Sequence, residues 1–148
     1  MDTLRLDQHL CFSLYSATRA VSQAYGPLLG RLGLTYPQYL VLLALREAGP
    51  SSVSTLGDTL HLDSGTLTPL LKRLEGKSLV SRRRDPADER RLLVHLTVAG
   101  RRVQERACAV PPELFREVGL TAAQARKLKD QIDSLVHALS ARTERKAS

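Results

Sequence analysis

Two cysteines, Cys11 and Cys108, are the residues of this chain best suited to covalent chemistry. A cysteine thiolate can attack the oxygen of a peroxide and become a sulfenic acid, which then condenses with another thiol. Cys11 lies in the apolar run LCFSLY, and most free cysteines in such runs are inert packing residues. From the residues alone, an inert and a reactive Cys11 both remain open.

Tyrosines are the residues that could stabilise a sulfur anion, because a phenol donates a hydrogen bond. Cys11 and Tyr25 are fourteen residues apart, so on one straight helix they lie about 21 Å from each other. Contact between them therefore requires a second subunit, or a chain that folds back at Gly26-Pro27. We interpret Tyr39 as a core residue whose hydroxyl bonds to backbone.

Composition limits the classes of function. The 148 residues fit one domain, and the formal net charge of +7 favours a polyanionic partner. No apolar run approaches the ~20 residues that span a bilayer, and the N-terminus does not resemble a signal peptide. No cysteine or histidine pair has zinc-ligand spacing. We therefore expect a cytoplasmic protein without membrane contact, metal or cofactor.

The N-terminal third predicts two helices. Apolar residues at steps of three and four predict an amphipathic helix over the first thirty residues, with a kink or break at Gly26-Pro27. Thr35 and Gln38 form a capping-box pattern that begins a second, buried helix, and Gly49-Pro50 ends it. The stripe of the first helix consists of Leu10, Leu14, Ala17, Val21, Tyr25, Leu28 and Leu32.

The middle of the chain predicts a winged helix-turn-helix. A short helix over residues 54–60 is followed by a helix that Asp63 caps and Gly76 stops, and the runs LVSRRR and RLLVHLT around DPADER predict a β-hairpin. The fold class is mainly α with a small β-hairpin wing (α+β). The buried face of the capped helix is predicted to contain Leu67, Leu70, Leu71 and Leu74.

This pattern suits duplex DNA. A helix fits the major groove with its N-terminal residues at base edges, and arginines of a hairpin can enter a narrow minor groove. We expect Asp88 to orient the Arg90 guanidinium by a charge-assisted hydrogen bond. The alternative is a solvated hairpin of mixed charge that does not contact DNA. The predicted DNA-binding residues are Asp63, Ser64, Thr66, Thr68, Arg73, Arg84, Asp88 and Arg90.

Two further helices are predicted at the C-terminal end. Thr97 caps the first, Pro111-Pro112 disturbs it, and Thr121 with Gln124 begins a last amphipathic helix. Both terminal helices of the chain carry apolar stripes with little else to cover them. They could fold back within a monomer or pair in a dimer.

The segment LDSGTLTPLLKRLE followed by SRRRDPADERRLLVHLT resembles the MarR superfamily. The wing of that superfamily contains an Asp-x-Arg signature, which Asp88-Glu89-Arg90 matches. The resemblance covers nearly the whole chain. It implies a DNA-binding winged helix over residues 35–97, dimerisation helices over residues 1–34 and 98–148, and a homodimer on a pseudo-palindromic operator.

LDQHLCFSLYSATR and LTYPQYL resemble the organic-hydroperoxide-sensing branch of that superfamily. The resemblance implies a repressor, not an enzyme, that an organic hydroperoxide releases from DNA. It also implies that Cys11 is the sensor and that Tyr25 and Tyr36 activate it, and Tyr15 fits the same pattern.

One departure concerns the second thiol. Two-cysteine members of this branch carry a resolving cysteine at a position that matches Arg116, whereas this chain has Cys108. Cys108 could be an unrelated buried thiol, an alternative resolving cysteine or a surface thiol. We expect a one-cysteine mechanism that ends in a mixed disulfide between Cys11 and a low-molecular-weight thiol.

Three other functions compete with this interpretation. A MarR-type repressor released by a small aromatic ligand would leave Cys11 uninvolved. A thiol peroxidase would need reductive turnover, and the chain has no CxxC motif. A non-specific architectural DNA binder would have no use for the polar helix that Asp63 caps.

Overall fold

A computed structural model describes residues 5–147 of the chain, with side-chain surroundings given for residues 5–142. Residues 1–4 of the first predicted helix lie outside the described part. The chain divides into two compact units, one ending at Val110 and the other beginning at Pro111. In chain order the elements are the 3-10 turn Leu6–Gln8, α1 Leu10–Gly30, α2 Tyr36–Ala48, β1 Ser51–Ser52, α3 Val53–Leu60, α4 Ser64–Gly76, β2 Val80–Asp85, β3 Asp88–Leu96, α5 Val98–Ala107, α6 Val110–Glu117 and α7 Ala122–Ala147.

Helix α1 runs through Pro27 without interruption, so the break allowed at Gly26-Pro27 is not present. A proline inside a helix costs about 3 kcal/mol. Leu28 and Leu29 are both buried, and burying a leucine contributes about 1.5–3 kcal/mol. The packing of these two side chains offsets the cost of the proline and keeps the last turn of α1 helical.

The predicted helix starts are largely confirmed. The Thr35 Oγ1 accepts from the Gln38 backbone N–H at 3.4 Å, while the Gln38 Oε1 accepts from the Thr35 N–H at 3.1 Å. Thr97 caps α5 through its side chain alone, and its Oγ1 accepts from the Gly100 N–H at 2.9 Å. The short helix begins at Val53 rather than Ser54, because the Ser52 hydroxyl caps it.

Three antiparallel strands form one small sheet in the order β1-β3-β2. Val80 pairs with Leu96 and Arg82 with Val94, and the register shifts between Arg84 and Asp85. The connection between the strands is shorter than the predicted DPADER loop, since only residues 86 and 87 lie between β2 and β3. The predicted class, mainly α with a small β-hairpin, is confirmed.

The core of the first unit surrounds α2, which packs against α1, α3, α4, α5 and β3. The end of the hairpin is fixed to this core by a close approach of two backbones. A Cβ added to Gly100 would lie 2.0 Å from the Leu79 carbonyl oxygen, so α5 can pack here only with glycine. The Thr97 hydroxyl donates to the Ser78 carbonyl at 2.7 Å. These contacts fix the junction of α4, the hairpin and α5.

The second unit consists of α7 and most of α6. Pro111 and Pro112 occupy the first turn of α6, where backbone N–H groups have no helical partner, so they are compatible with the helix. Thr121 and Gln124 cap α7 reciprocally, as predicted. Apolar side chains along α7 are exposed, including Leu128, Ile132, Val136 and Leu139. No helix within residues 5–147 is long and apolar enough to cross a membrane.

Candidate nucleic-acid interface and sensor cysteine

The N-terminus of α4 is organised by Asp63. Its Oδ1 accepts from the Thr66 N–H at 2.8 Å and its Oδ2 from the Thr66 hydroxyl at 3.0 Å. These hydrogen bonds from Thr66 hold the pKa of the Asp63 carboxyl below its ordinary value. The Asp63 carboxylate is therefore committed to starting the helix.

The two faces of α4 differ in burial. Leu67, Leu71 and Leu74 are buried, whereas the predicted Leu70 is only half-buried. The polar residues of the opposite face, Ser64, Thr66, Thr68, Lys72 and Arg73, are all exposed. Helix α4 thus presents short hydroxyl side chains near its N-terminus and cations near its C-terminus. This arrangement suits base edges and phosphates respectively.

The hairpin carries exposed arginines on both strands. Among them, the Arg84 Nη1 donates to the Glu89 carbonyl at 2.6 Å across the tip, whereas Arg90 is exposed. The Asp88 Oδ1 accepts from the backbone N–H of Arg90 at 3.1 Å. The predicted bond from Asp88 to the Arg90 guanidinium is therefore wrong. A carboxylate two residues before an N–H closes a local turn, which fixes the backbone of Arg90 and leaves its guanidinium to solvent.

An ion pair joins α4 to the hairpin. Arg82 donates to the Glu75 Oε2 from Nε at 3.0 Å and from Nη2 at 2.6 Å. The Arg82 side chain holds the pKa of the Glu75 carboxyl below its ordinary value, and Glu75 raises the pKa of Arg82. Sequence reasoning missed this pair, although the seven-residue spacing between α4 and β2 could have suggested it.

Three tyrosines of α1 and α2 pack together. The ring centroid of Tyr25 lies 4.8 Å from that of Tyr36 and 6.1 Å from that of Tyr39. We name Tyr25, Tyr36 and Tyr39 the tyrosine cluster. Tyr25 is 6% and Tyr39 5% exposed, while Tyr36 is half-buried. Burial, with smaller contributions from Tyr36 and Tyr39, raises the pKa of Tyr25 to about 12. Its phenol therefore keeps its proton at neutral pH and can donate a hydrogen bond.

The sensor candidate Cys11 is distant from this cluster within one chain. Cys11 and Tyr25 lie on the uninterrupted α1, so their fourteen-residue separation corresponds to about 21 Å. Cys11 is exposed, as are the neighbouring Leu10, Phe12 and Tyr15. The Tyr15 hydroxyl accepts from the Arg19 Nη1 at 3.0 Å, one turn further along α1. The structure therefore brings Tyr25 and Tyr36 together and leaves Cys11 apart from both.

Cys108 is an exposed thiol at the end of α5, so it is not the buried thiol of one alternative. Its Sγ accepts from the Arg46 Nη1 at 3.0 Å and from the Gln104 Nε2 at 3.3 Å. The Arg46 contact spans 62 residues of sequence, so no local pattern predicts it. Among the residues with described surroundings, no three His, Cys, Asp or Glu side chains are grouped to hold a metal ion.

Comparison with known proteins assigns the family. The sequence profile of the MarR family matches residues 34–92. The chain is similar to the Organic hydroperoxide resistance transcriptional regulator of Bacillus subtilis, with 41% identity over 138 residues that span 93% of this chain and 94% of the relative. The chain belongs to the MarR family. It is a MarR-family transcriptional regulator, as the resemblance of its α4 and wing sequences implied.

Solved structures of family members share the fold. AbfR of Staphylococcus epidermidis is 37% identical with a TM-score of 0.75, and the match covers 94% of this chain and 97% of that one. AbfR has also been solved bound to DNA in reduced and overoxidized forms. A mutant of E. coli MarR complexed with operator DNA is 28% identical with a TM-score of 0.80, over 91% of this chain and 99% of that one.

Proposed function

We propose that this MarR-family chain is a homodimeric repressor that binds operator DNA when reduced and is released when an organic hydroperoxide oxidises Cys11. Two relatives support this proposal. One is an organic hydroperoxide resistance transcriptional regulator, and the other, AbfR, has been solved bound to DNA in its reduced and overoxidized forms. The residues of the chain supply the rest of the support.

Operator reading is assigned to residues 35–97. In this proposal Ser64, Thr66 and Thr68 meet base edges in the major groove, because they are exposed near the N-terminus of α4. Arg73 neutralises phosphate, and Arg84 and Arg90 of the wing approach the minor groove. Asp63 and Asp88 complete the proposed interface. Each carboxylate accepts from a backbone N–H, that of Thr66 or Arg90, and so fixes the backbone of a residue that contacts DNA in this proposal.

Dimerisation is assigned to residues 1–34 and 98–148. Support comes from apolar side chains that remain exposed in each unit taken by itself, on the first half of α1 and along α7. A two-fold dimer carries two α4 helices, which is why we propose a pseudo-palindromic operator with two half-sites.

The observation that carries the sensor proposal is the separation of Cys11 from the tyrosine pair. Tyr25 and Tyr36 are in ring contact, yet Cys11 lies about 21 Å from Tyr25 along the same uninterrupted helix. In the proposed dimer, the phenols of one subunit therefore serve the Cys11 of the second subunit. Tyr15 lies one turn after Cys11 and lines the approach to it. Dimer geometry and thiol chemistry are then coupled directly.

The reaction is a two-electron oxidation of sulfur. The Cys11 thiolate attacks the terminal oxygen of the hydroperoxide, the O–O bond breaks as the S–O bond forms, and the leaving alkoxide takes a proton to become the alcohol. The resulting sulfenic acid condenses with a low-molecular-weight thiol, which gives a mixed disulfide and water. The added atoms displace the tyrosine hydroxyls, and the two α4 helices lose their operator spacing.

Fluorescence anisotropy on the promoter region upstream of its own gene tests this proposal. Reduced and cumene-hydroperoxide-treated samples are compared for the wild type, Cys11→Ser and the matched thiol control Cys108→Ser. We expect release of the wild type and Cys108→Ser, with Cys11→Ser still bound. If neither the wild type nor Cys11→Ser is released, the sensor role fails and a repressor released by a small aromatic ligand becomes the better account.

A further inference from the structure

Lys77 follows the last residue of α4 and extends its side chain away from that helix. Its Nζ donates to the Gly33 carbonyl at 2.5 Å and to the Gln38 Oε1 at 3.1 Å. These partners precede it by 44 and 39 residues, in and just after the connection between α1 and α2. A cation that bonds two neutral oxygens makes charge-assisted hydrogen bonds, which are stronger than neutral ones. Lys77 therefore attaches the end of α4 to this connection.

The acceptor Gln38 belongs to the element that fixes Tyr36. Gln38 is 3% exposed, and its Oε1 also accepts from the Thr35 N–H in the capping box of α2. Tyr36 is the first residue of α2, so this box fixes the backbone of the turn that carries the Tyr36 ring, which packs against Tyr25. Lys77 thus shares an acceptor atom with the local structure that positions the tyrosine pair.

The backbone of Lys77 is fixed to the DNA-reading elements. Its N–H donates to the Arg73 carbonyl at 3.1 Å, which closes the last turn of α4. The next residue, Ser78, has a positive φ of 57° and its carbonyl accepts from the Thr97 hydroxyl. A displacement that reaches Lys77 is therefore passed to α4 and to the base of the hairpin.

We propose that Lys77 is the positioning residue that couples the Tyr25–Tyr36 pair to α4. The inference rests on the proposed function and adds the route by which a change at the tyrosines reaches the DNA-reading helix. An adduct on Cys11 that displaces Tyr36 moves the first turn of α2, and with it the Gln38 Oε1. The Lys77 ammonium then follows its acceptors or loses them, and the end of α4 leaves the position that fits the operator.

The test is the release ratio, the operator Kd of the oxidised protein divided by the Kd of the reduced protein. It is measured by anisotropy for the wild type, Lys77→Met, Lys77→Arg and Lys127→Met, a matched loss of an exposed lysine in α7. We expect Lys77→Met to lower the ratio by about tenfold, within the usual range of coupling between two sites. Lys77→Arg keeps two donors and retains most of the ratio, and Lys127→Met retains all of it.

A second measurement separates coupling from sensing. Lys77 does not contact Cys11, so the rate of Cys11 oxidation in Lys77→Met should equal that of the wild type. An unchanged release ratio in Lys77→Met, beside a wild type that is released, would overturn the coupling role and leave the repressor intact. Slower Cys11 oxidation in Lys77→Met would overturn it as well. A wild type that hydroperoxide does not release contradicts the proposed function itself.

Discussion

In the proposed DNA-reading unit, which comprises α4 and the β2–β3 hairpin, exposed polar side chains lie on elements whose other face is buried. Leu67, on the inner face of α4, is 0% exposed. The first half of α1 shows the opposite, because apolar side chains are exposed there: Leu10, beside Cys11, is 61% exposed. The reading unit is complete within one chain. The surface around Cys11 lacks a covering partner in its own unit, and in our account a second subunit provides it.

Replacing one leucine by alanine in each region should distinguish burial within one chain from burial between two subunits. Leu67→Ala removes a fully buried side chain and should lower the free energy of unfolding by about 2–5 kcal/mol. Leu10→Ala should leave the stability of dilute protein unchanged and weaken only dimer formation. Urea unfolding over a range of protein concentrations measures both. A loss from Leu10→Ala that is independent of protein concentration would contradict the comparison.

Arg90→Ala tests the wing as part of the reading unit. Because its guanidinium is exposed and free to enter a groove, its removal should weaken operator binding by about 1–3 kcal/mol. Arg126→Ala removes an exposed arginine of α7 and serves as the matched control. Titrations at two salt concentrations give the affinities and the salt slopes. Equal affinities for the two variants would remove the wing from the interface.

Tyr36→Phe tests the sensing region. Loss of one hydrogen bond to the sulfur anion should slow oxidation of Cys11 roughly ten- to hundredfold, because a bond to a charged group contributes about 1.5–3 kcal/mol. Tyr39→Phe removes a hydroxyl from the same cluster and should leave the rate unchanged. Stopped-flow kinetics with cumene hydroperoxide measures both. If both variants react as fast as the wild type, the phenols do not activate the thiol.

The smallest effect is expected at the ion pair between α4 and the hairpin. The pKa of Glu75 lies below its ordinary value of 4.5, so its contribution is present above about pH 4.5 and is lost as the pH falls through the folded pKa. The pair is partly solvated, so Glu75→Gln should cost less than about 1 kcal/mol near pH 7.

The difference in stability between wild type and Glu75→Gln should shrink towards pH 3. Glu89→Gln, at the exposed tip of the hairpin, controls for the lost charge. Urea midpoints from pH 7 to pH 3 measure the difference. A gap between wild type and Glu75→Gln that widens in acid would contradict the pairing with Arg82.

The features predicted correctly from sequence are those set by local physics. Thr35 with Gln38, and Thr97, satisfy N–H groups within three residues, so their types and spacing alone specify helix starts. Two of the contacts that were missed join distant segments. Lys77 meets Gly33 and Arg46 meets Cys108 only after α1, α2 and α5 have packed, and sequence spacing carries no signal for such pairs.

Two departures from the predictions had local causes of a different kind. The Asp88 carboxylate could bond either the backbone or the guanidinium of Arg90, and the tight hairpin turn favoured the backbone. Pro27 suggested a kink or a break in α1, and the packing of Leu28 and Leu29 outweighed the break. Cys11 and Tyr25 both precede Gly26, so their separation depends on the helix before Pro27 and not on whether a break follows.

The central claim is that the tyrosines of one subunit activate the Cys11 of the other. The most direct test uses a heterodimer in which one subunit carries Cys11→Ser and the other carries Tyr25→Phe with Tyr36→Phe. The remaining Cys11 then faces intact tyrosines only across the interface. We predict that it reacts with cumene hydroperoxide at the wild-type rate per thiol. A rate as slow as that of the homodimer with both tyrosines replaced would contradict the account.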